Sequence, residues 1–296
     1  MSGALEIKVI HEPSAAEPFV ILSKPAGLAS APLKSLDEDS AFSQCARLFP
    51  AAKSVCGKKA VEGGLLHRID TVTSGLLLVA ASQEFYDHII DAQEDGRFVK
   101  GYRAECDVNS DNAASLGGFP PLGTQAQKAA DSLSFDNFPQ GQNATELCGL
   151  ELSSFFRPFG KGGAQVRPVA PDSSAAALKK IGSKKIYSTK IVSARKLCGA
   201  DFGLEGDSRA ALSGHSKPCV YVECKIVQGF RHQVRAHLAW LGLPIVGDAL
   251  YNADFAALRF GLAENNCASG AQMRFEAASL EFPDLFSDKI LRFSLD

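Results

Sequence analysis

Residues 75–106 read GLLLVAASQEFYDHIIDAQEDGRFVKGYRAEC. The apolar run from Gly75 to Ala81 has the length and composition of a strand. Ser82 can cap a helix running to about Asp95, because Phe85, Ile89 and Ala92 then fall on one face and Gly96 supplies a terminator. Phe98 to Cys106 returns to a strand pattern.

Outward from this stretch, Phe19 to Leu22, Thr145 to Leu152, Lys185 to Val192 and Val220 to Val227 are further short apolar segments, the last two rich in β-branched residues. A second helix is expected from about Arg231 to Leu241, burying Val234, Leu238 and Leu241 and ending at Gly242 and Pro244. Strands in clusters with few interleaved helices imply an α+β fold, a mixed and mainly antiparallel sheet with flanking helices, rather than a doubly wound parallel sheet. Asn109 to Glu146 contains Gly117-Gly118, Pro120-Pro121, Gly123 and Pro139 and has little periodicity, so it reads as an irregular surface excursion. A second insertion is expected near 197–217. The expected organisation is one catalytic domain over 1–296 carrying these two insertions.

The composition, 46% hydrophobic and 22% charged over 296 residues, suits a globular protein with a real core. Met1 to His11 shows no basic start followed by an apolar run, and no stretch approaches the ~18 apolar residues of a membrane span. The expected location is cytoplasmic. Eight cysteines are scattered without a CxxC pair or zinc spacing, and read as reduced thiols. Net charge is only −2, yet its distribution is uneven. Arg157 to Lys196 holds ten basic residues and a single acid, Asp172, so a segment of +9 sits on a remainder of −11. Such a segment can hold a phosphate backbone while the rest repels nonspecific nucleic acid.

Three blocks carry candidate chemistry. Leu66-His67-Arg68-Ile69-Asp70-Thr71-Val72-Thr73-Ser74-Gly75 crowds an imidazole, a guanidinium and a carboxylate into a hydroxyl-rich turn before the strand. Burying those charges is costly unless they are paired or used. Taken alone, the block is better read with Asp70 as a turn cap bonded to Val72 or Thr73. Val99-Lys100-Gly101-Tyr102-Arg103-Ala104 places Lys100, Tyr102 and Ala104 on one strand face. Gln228-Gly229-Phe230-Arg231-His232-Gln233-Val234-Arg235-Ala236-His237-Leu238 would put Arg231 and Arg235 one helical turn apart on a stripe reaching Leu238. It continues into Gly242-Leu243-Pro244-Ile245-Val246-Gly247-Asp248.

In this order the blocks resemble the RluA family of pseudouridine synthases. That family's patterns read roughly Lys-Pro-x-Gly, His-Arg-Leu-Asp-x-x-Thr-Ser-Gly-Leu-Leu, Lys-x-Tyr-x-Ala and Gly-Arg-x-His-Gln-Ile-Arg-x-His, followed by Gly-x-Pro-Ile-x-Gly-Asp. Here they are met by Lys24-Pro25-Ala26-Gly27, His67 to Leu77, Lys100 to Ala104, and the third block. The likeness spans roughly 18 to 107 and 219 to 251, with fainter similarity near Lys184 to Thr189. Phe230 departs from it, standing where the family usually has an arginine. No RNA-binding module of the S4 type is expected before Lys24.

The resemblance implies an enzyme that isomerises uridine in RNA without a cofactor or metal, with ribosomal or transfer RNA as partner. It implies Asp70 as the essential carboxylate, Tyr102 against the target base and Arg235 paired with Asp70. Arg68 would fill the space left by the flipped nucleotide. His67, Gln233, Leu238, Arg231, Lys184 and Lys185 are the remaining candidate substrate-binding residues. Two other classes compete. A binding-only homologue would keep the basic segment and lose the catalytic set. A metal-dependent phosphohydrolase would use His67, Asp70, His232 and His237, but His232 and His237 are five apart and diverge on a helix, unlike the i, i+4 pair of helical zinc sites.

Overall fold

The computed structural model describes residues 4–35, 38–108, 119, 122, 126, 128, 145–197, 219–253 and 272–296. Most of the 109–146 insertion, and nearly all of the one near 197–217, lie outside them. Among the described residues the chain forms ten strands, mostly antiparallel, with few helices. It belongs to the α+β class.

The chain packs as two compact units, Met1–Tyr102 with Glu276–Asp296, and Arg103–Phe275. In the first, β1 (Lys8–His11) pairs antiparallel with β2 (Phe19–Lys24), and β2 with β3 (Ser74–Ala80). Then β9 (Phe275–Pro283) joins β3 in parallel, and β10 (Ile290–Ser294) pairs antiparallel with β9. On the way from β1 to β3 the chain forms helix α1 (Ala41–Leu48), capped by the Ser40 hydroxyl. Next, α2 (Gln83–Glu94) follows the sequence expectation closely. The Ser82 hydroxyl accepts from Phe85 N, Phe85, Ile89 and Ala92 are buried, and Gly96 turns the chain at φ +74°. The core of this unit is aromatic: Phe19 stacks on Phe85 at 4.8 Å and meets Phe282 edge-on at 5.3 Å.

Strand β4 (Val99–Asp107) has residues in both units, as does β9, so the single catalytic domain over 1–296 stays a proposal. In the second unit β5 (Glu151–Phe159) pairs with β6 (Gln165–Val169) and with β7 (Tyr187–Leu197), which in turn pairs with β8 (Cys219–Ile226), all antiparallel. The strand expected from Thr145 begins only at Glu151. Residues 145–149 are a turn in which Gly149 takes φ +84°, a left-handed value that glycine adopts without steric cost. Helix α3 is likewise shorter than expected and runs Gln233–Trp240, with all eight residues buried. No described helix is long and apolar enough to cross a membrane.

Candidate active site

The turn carrying Asp70 is held from two directions. On one side the Ser30 hydroxyl donates to Ile69 O at 2.6 Å and accepts from Ile69 N at 3.1 Å. On the other, Lys24 and Gly27 converge on Thr71 O, the ammonium at 3.2 Å and the amide at 2.7 Å. Lys24 also donates to Leu28 O at 2.7 Å and Pro25 O at 2.9 Å, and is wholly buried. Three carbonyls thus solvate an ammonium that water cannot reach. Burial lowers its pKa to about 8, while the nearby Asp70 carboxylate pulls the other way. Thr73 N closes the turn on Asp70 O at 3.0 Å. Asp70 itself is half-buried, and the residues before and after it are fixed by hydrogen bonds.

The neighbouring candidates of the first unit divide by exposure. Arg68 is exposed and bonds Glu62 at 2.8 Å. His67 faces inward: its Nε2 accepts from Leu78 N at 3.2 Å, and its ring meets Phe98 edge-on at 5.4 Å. Burial, helped by the charge of Lys100, lowers the His67 pKa to about 3, so the ring is neutral. These contacts are with backbone and core, and the substrate-binding role expected of His67 stays a proposal. Tyr102 is buried in β4, two residues after Lys100. Lys100 is buried too, its ammonium 4.0 Å from the centre of the Phe98 ring, and burial lowers its pKa to about 7.

In the second unit Arg235 is buried, and its Nε and Nη2 each donate to Asp248 at 2.8 Å. The Asp248 Oδ1 also accepts from Leu250 N at 2.9 Å and Tyr251 N at 3.2 Å. A two-pronged pair of this kind fixes the guanidinium plane. Arg235 therefore does not face solvent.

One expectation for this block is corrected. Arg231 is not on α3, because His232 takes a left-handed φ of +56° and starts the helix two residues later than the apolar pattern suggests. Arg231 is exposed and donates through Nη2 to Gly163 O and, at 3.3 Å, to Gln165 O. Gln233 is buried, accepting from Phe230 N at 2.9 Å and donating to Ser188 O at 2.9 Å, which ties helix to strand. Leu238 is fully buried. By contrast Lys184 and Lys185 are exposed in the segment before β7.

The histidines proposed above as metal ligands are occupied elsewhere. His237 bonds Ser154 Oγ and Thr189 Oγ1, each at 2.9 Å, and His232 Nδ1 bonds the Tyr251 hydroxyl at 3.1 Å. Lys24, Ser30 and Asp248 were given no role by sequence reasoning. Lys24 had a signal, as a lysine ending an otherwise apolar strand. Asp248 stands at the end of a quoted pattern, whereas nothing marks Ser30 as unusual.

A family model described as RNA pseudouridylate synthase matches residues 18–240. The chain belongs to this family. It is an RNA pseudouridine synthase, and the matched segment contains Asp70, Tyr102 and Arg235. Among solved structures, human RNA pseudouridylate synthase domain containing 1 aligns at TM-score 0.57 and 16% identity, over 100% of this chain and 86% of that one. Human RNA pseudouridylate synthase domain containing 4 aligns at TM-score 0.51 and 16% identity, over 97% of this chain and 87% of the other. At such identity these two show the fold of the synthase alone. No curated protein sequence matches it.

Proposed function

We propose that the synthase isomerises uridine in a structured RNA, ribosomal or transfer RNA, with Asp70 as its catalytic carboxylate. The observation that carries this reading is the double clamp on the Asp70 turn, where Ser30 bonds Ile69 and buried Lys24 bonds Thr71. A catalytic group needs a backbone that does not drift, and the residues on either side of Asp70 meet that need. The reaction breaks N1–C1′, turns the base and joins C5 to C1′, with a proton lost from C5 and one gained at N1. A positioned carboxylate can assist by bonding covalently to sugar or base, or by deprotonating the sugar. Tyr102 is assigned to the base and to removal of the C5 proton, Arg68 to the space left by the flipped nucleotide, and Lys184 and Lys185 to phosphates.

Arg235 is assigned to the Asp70 carboxylate, which it would hold and aim. Because Asp248 is buried, Arg235→Ala also strands a carboxylate, at a cost of about 3–5 kcal/mol in stability. Loss of turnover in that variant has to be measured on folded protein.

The deciding experiment uses RNA tritiated at uridine C5. Wild-type protein is expected to release tritium at the same rate with and without EDTA, and Asp70→Asn to fold normally and release none. Substantial release by Asp70→Asn removes the carboxylate assignment. Cleavage of the RNA that stops in EDTA, without release of tritium, would favour metal-dependent hydrolysis.

A further inference from the structure

The turn before α3 differs from the family pattern at Phe230, and the packing there is unusual. The Phe230 ring lies parallel to Phe156, with centroids 5.0 Å apart and 5° between planes. Tyr187 closes on Phe230 at 5.0 Å and 52°, and on Phe156 at 6.0 Å. Phe156 is fully buried, whereas Phe230 and Tyr187 are half-buried. The cluster therefore runs from the core of the second unit to its surface.

The chain reaches Tyr187 through Lys184-Lys185-Ile186, all exposed, and Ile186 leaves 45% of its surface to water. No acidic residue occurs between Asp172 and Asp201. Aromatic and apolar surface set among cations suits a single nucleic-acid strand, in which bases have π-faces and the backbone is anionic. The cation beside Phe230 points to base rather than phosphate as the group bound here. Arg231 donates to the Gly163 and Gln165 carbonyls at the β5–β6 turn, and Phe230 has no charge with which to hold a phosphate.

We propose that Phe230 and Tyr187 form a stacking subsite for an unpaired nucleotide of the RNA substrate, whose flanking phosphates meet Lys184 and Lys185. This rests on the synthase reading. The stacking part of this binding is then tolerant of base identity, adds nothing to the salt dependence that the lysines bring, and is selective for single strand over duplex, since a paired base has no free face.

The test titrates the full-length protein with a short fluorescent oligouridylate and with an RNA duplex of equal length, over a range of salt. Phe230→Leu and Tyr187→Leu are each expected to weaken the single strand about tenfold, within the range found for removal of one stacked base. Duplex affinity and the slope of log affinity against log salt should stay unchanged. Tyr187→Phe keeps the ring and should bind as wild type, and if Phe230→Leu does not fold, the Tyr187 pair decides the matter. Wild-type affinity in the leucine variants overturns the subsite. An equal loss on duplex, or a flatter salt slope, also overturns it, because either would mean a phosphate contact. Phe230→Arg should steepen the slope by about 1 while losing the preference for single strand. If the rings serve a protein partner instead, oligouridylate binding will not depend on them, and the proposal falls. Tritium release from uridine-labelled RNA is measured separately. Its absence alongside ring-dependent binding defeats the synthase reading alone, and its presence alongside ring-independent binding defeats the subsite alone.

Discussion

Ser30 donates to the carbonyl of Ile69 and accepts from its amide, so one hydroxyl satisfies both backbone groups of the residue before Asp70. All of these groups are buried, and deleting the hydroxyl leaves two backbone groups unpaired. Ser30→Ala is therefore expected to cost about 1–3 kcal/mol in unfolding free energy. If Asp70 is the carboxylate proposed above, loosening this residue should also let it drift, and kcat is expected to fall more than KM changes. Ser30→Thr keeps the hydroxyl and should restore most of kcat. Steady-state tritium release and urea melts on the two variants check this, and a kcat for Ser30→Ala equal to wild type would show that Lys24 and Gly27 hold the turn unaided.

At the scale of elements, α3 joins β5 and β7 through His237, whose ring nitrogens bond Ser154 and Thr189. Burial lowers the His237 pKa to about 3, from 6.5 for a free histidine. Between those two values the unfolded chain binds a proton that the folded chain refuses. The stability this histidine allows is thus complete above pH 6.5 and is lost as pH falls toward 3, at up to about 1.4 kcal/mol per pH unit. His67 behaves alike in the first unit. Urea melts from pH 7 to 4 should show stability dropping with acid, and His237→Gln should flatten the drop; an unchanged slope would mean that the imidazole is not the titrating group. The sequence made some elements legible and hid others for physical reasons. Helix α2 carries its cap, its apolar face and its terminator within one window. By contrast α3 begins at a left-handed histidine, a conformation no periodicity reveals, and Thr145 to Gly149 is apolar enough to suggest a strand although it turns. Strands β1 and β10 alternate between partial burial and exposure, and so lack a continuous apolar run. Asp70 stands out as a candidate because its motif is local. The clamp by Ser30 and Lys24 was not, since it joins residues about 40 positions apart.

Across the whole molecule, charge is separated rather than abundant. The Arg157 to Lys196 segment holds ten cations against one acid, yet two of the ten are not at the surface. Arg167 is buried with its guanidinium 4.4 Å from the Phe159 ring, and burial brings its pKa down to about 10. Lys196 is buried in β7. The surface field is therefore weaker than the count suggests, and its exposed members are Lys161, Lys179, Lys180, Lys184, Lys185, Lys190 and Arg195. Each lysine that meets a phosphate releases about one counterion, so contacts can be counted from the dependence of affinity on salt. Replacing Lys184 and Lys185 together with alanine should reduce the slope of log affinity against log salt by about 2. The same change should leave urea stability within about 0.5 kcal/mol, as for surface residues without structural partners. Filter binding of a structured RNA over a range of salt measures the slope, and the slope separates two effects that affinity at one salt confuses. A general loss of attraction weakens binding without removing discrete contacts, whereas loss of two phosphate contacts flattens the line by a fixed amount. An unchanged slope would make this stretch a solvated loop and move the search for phosphate ligands to the other exposed lysines.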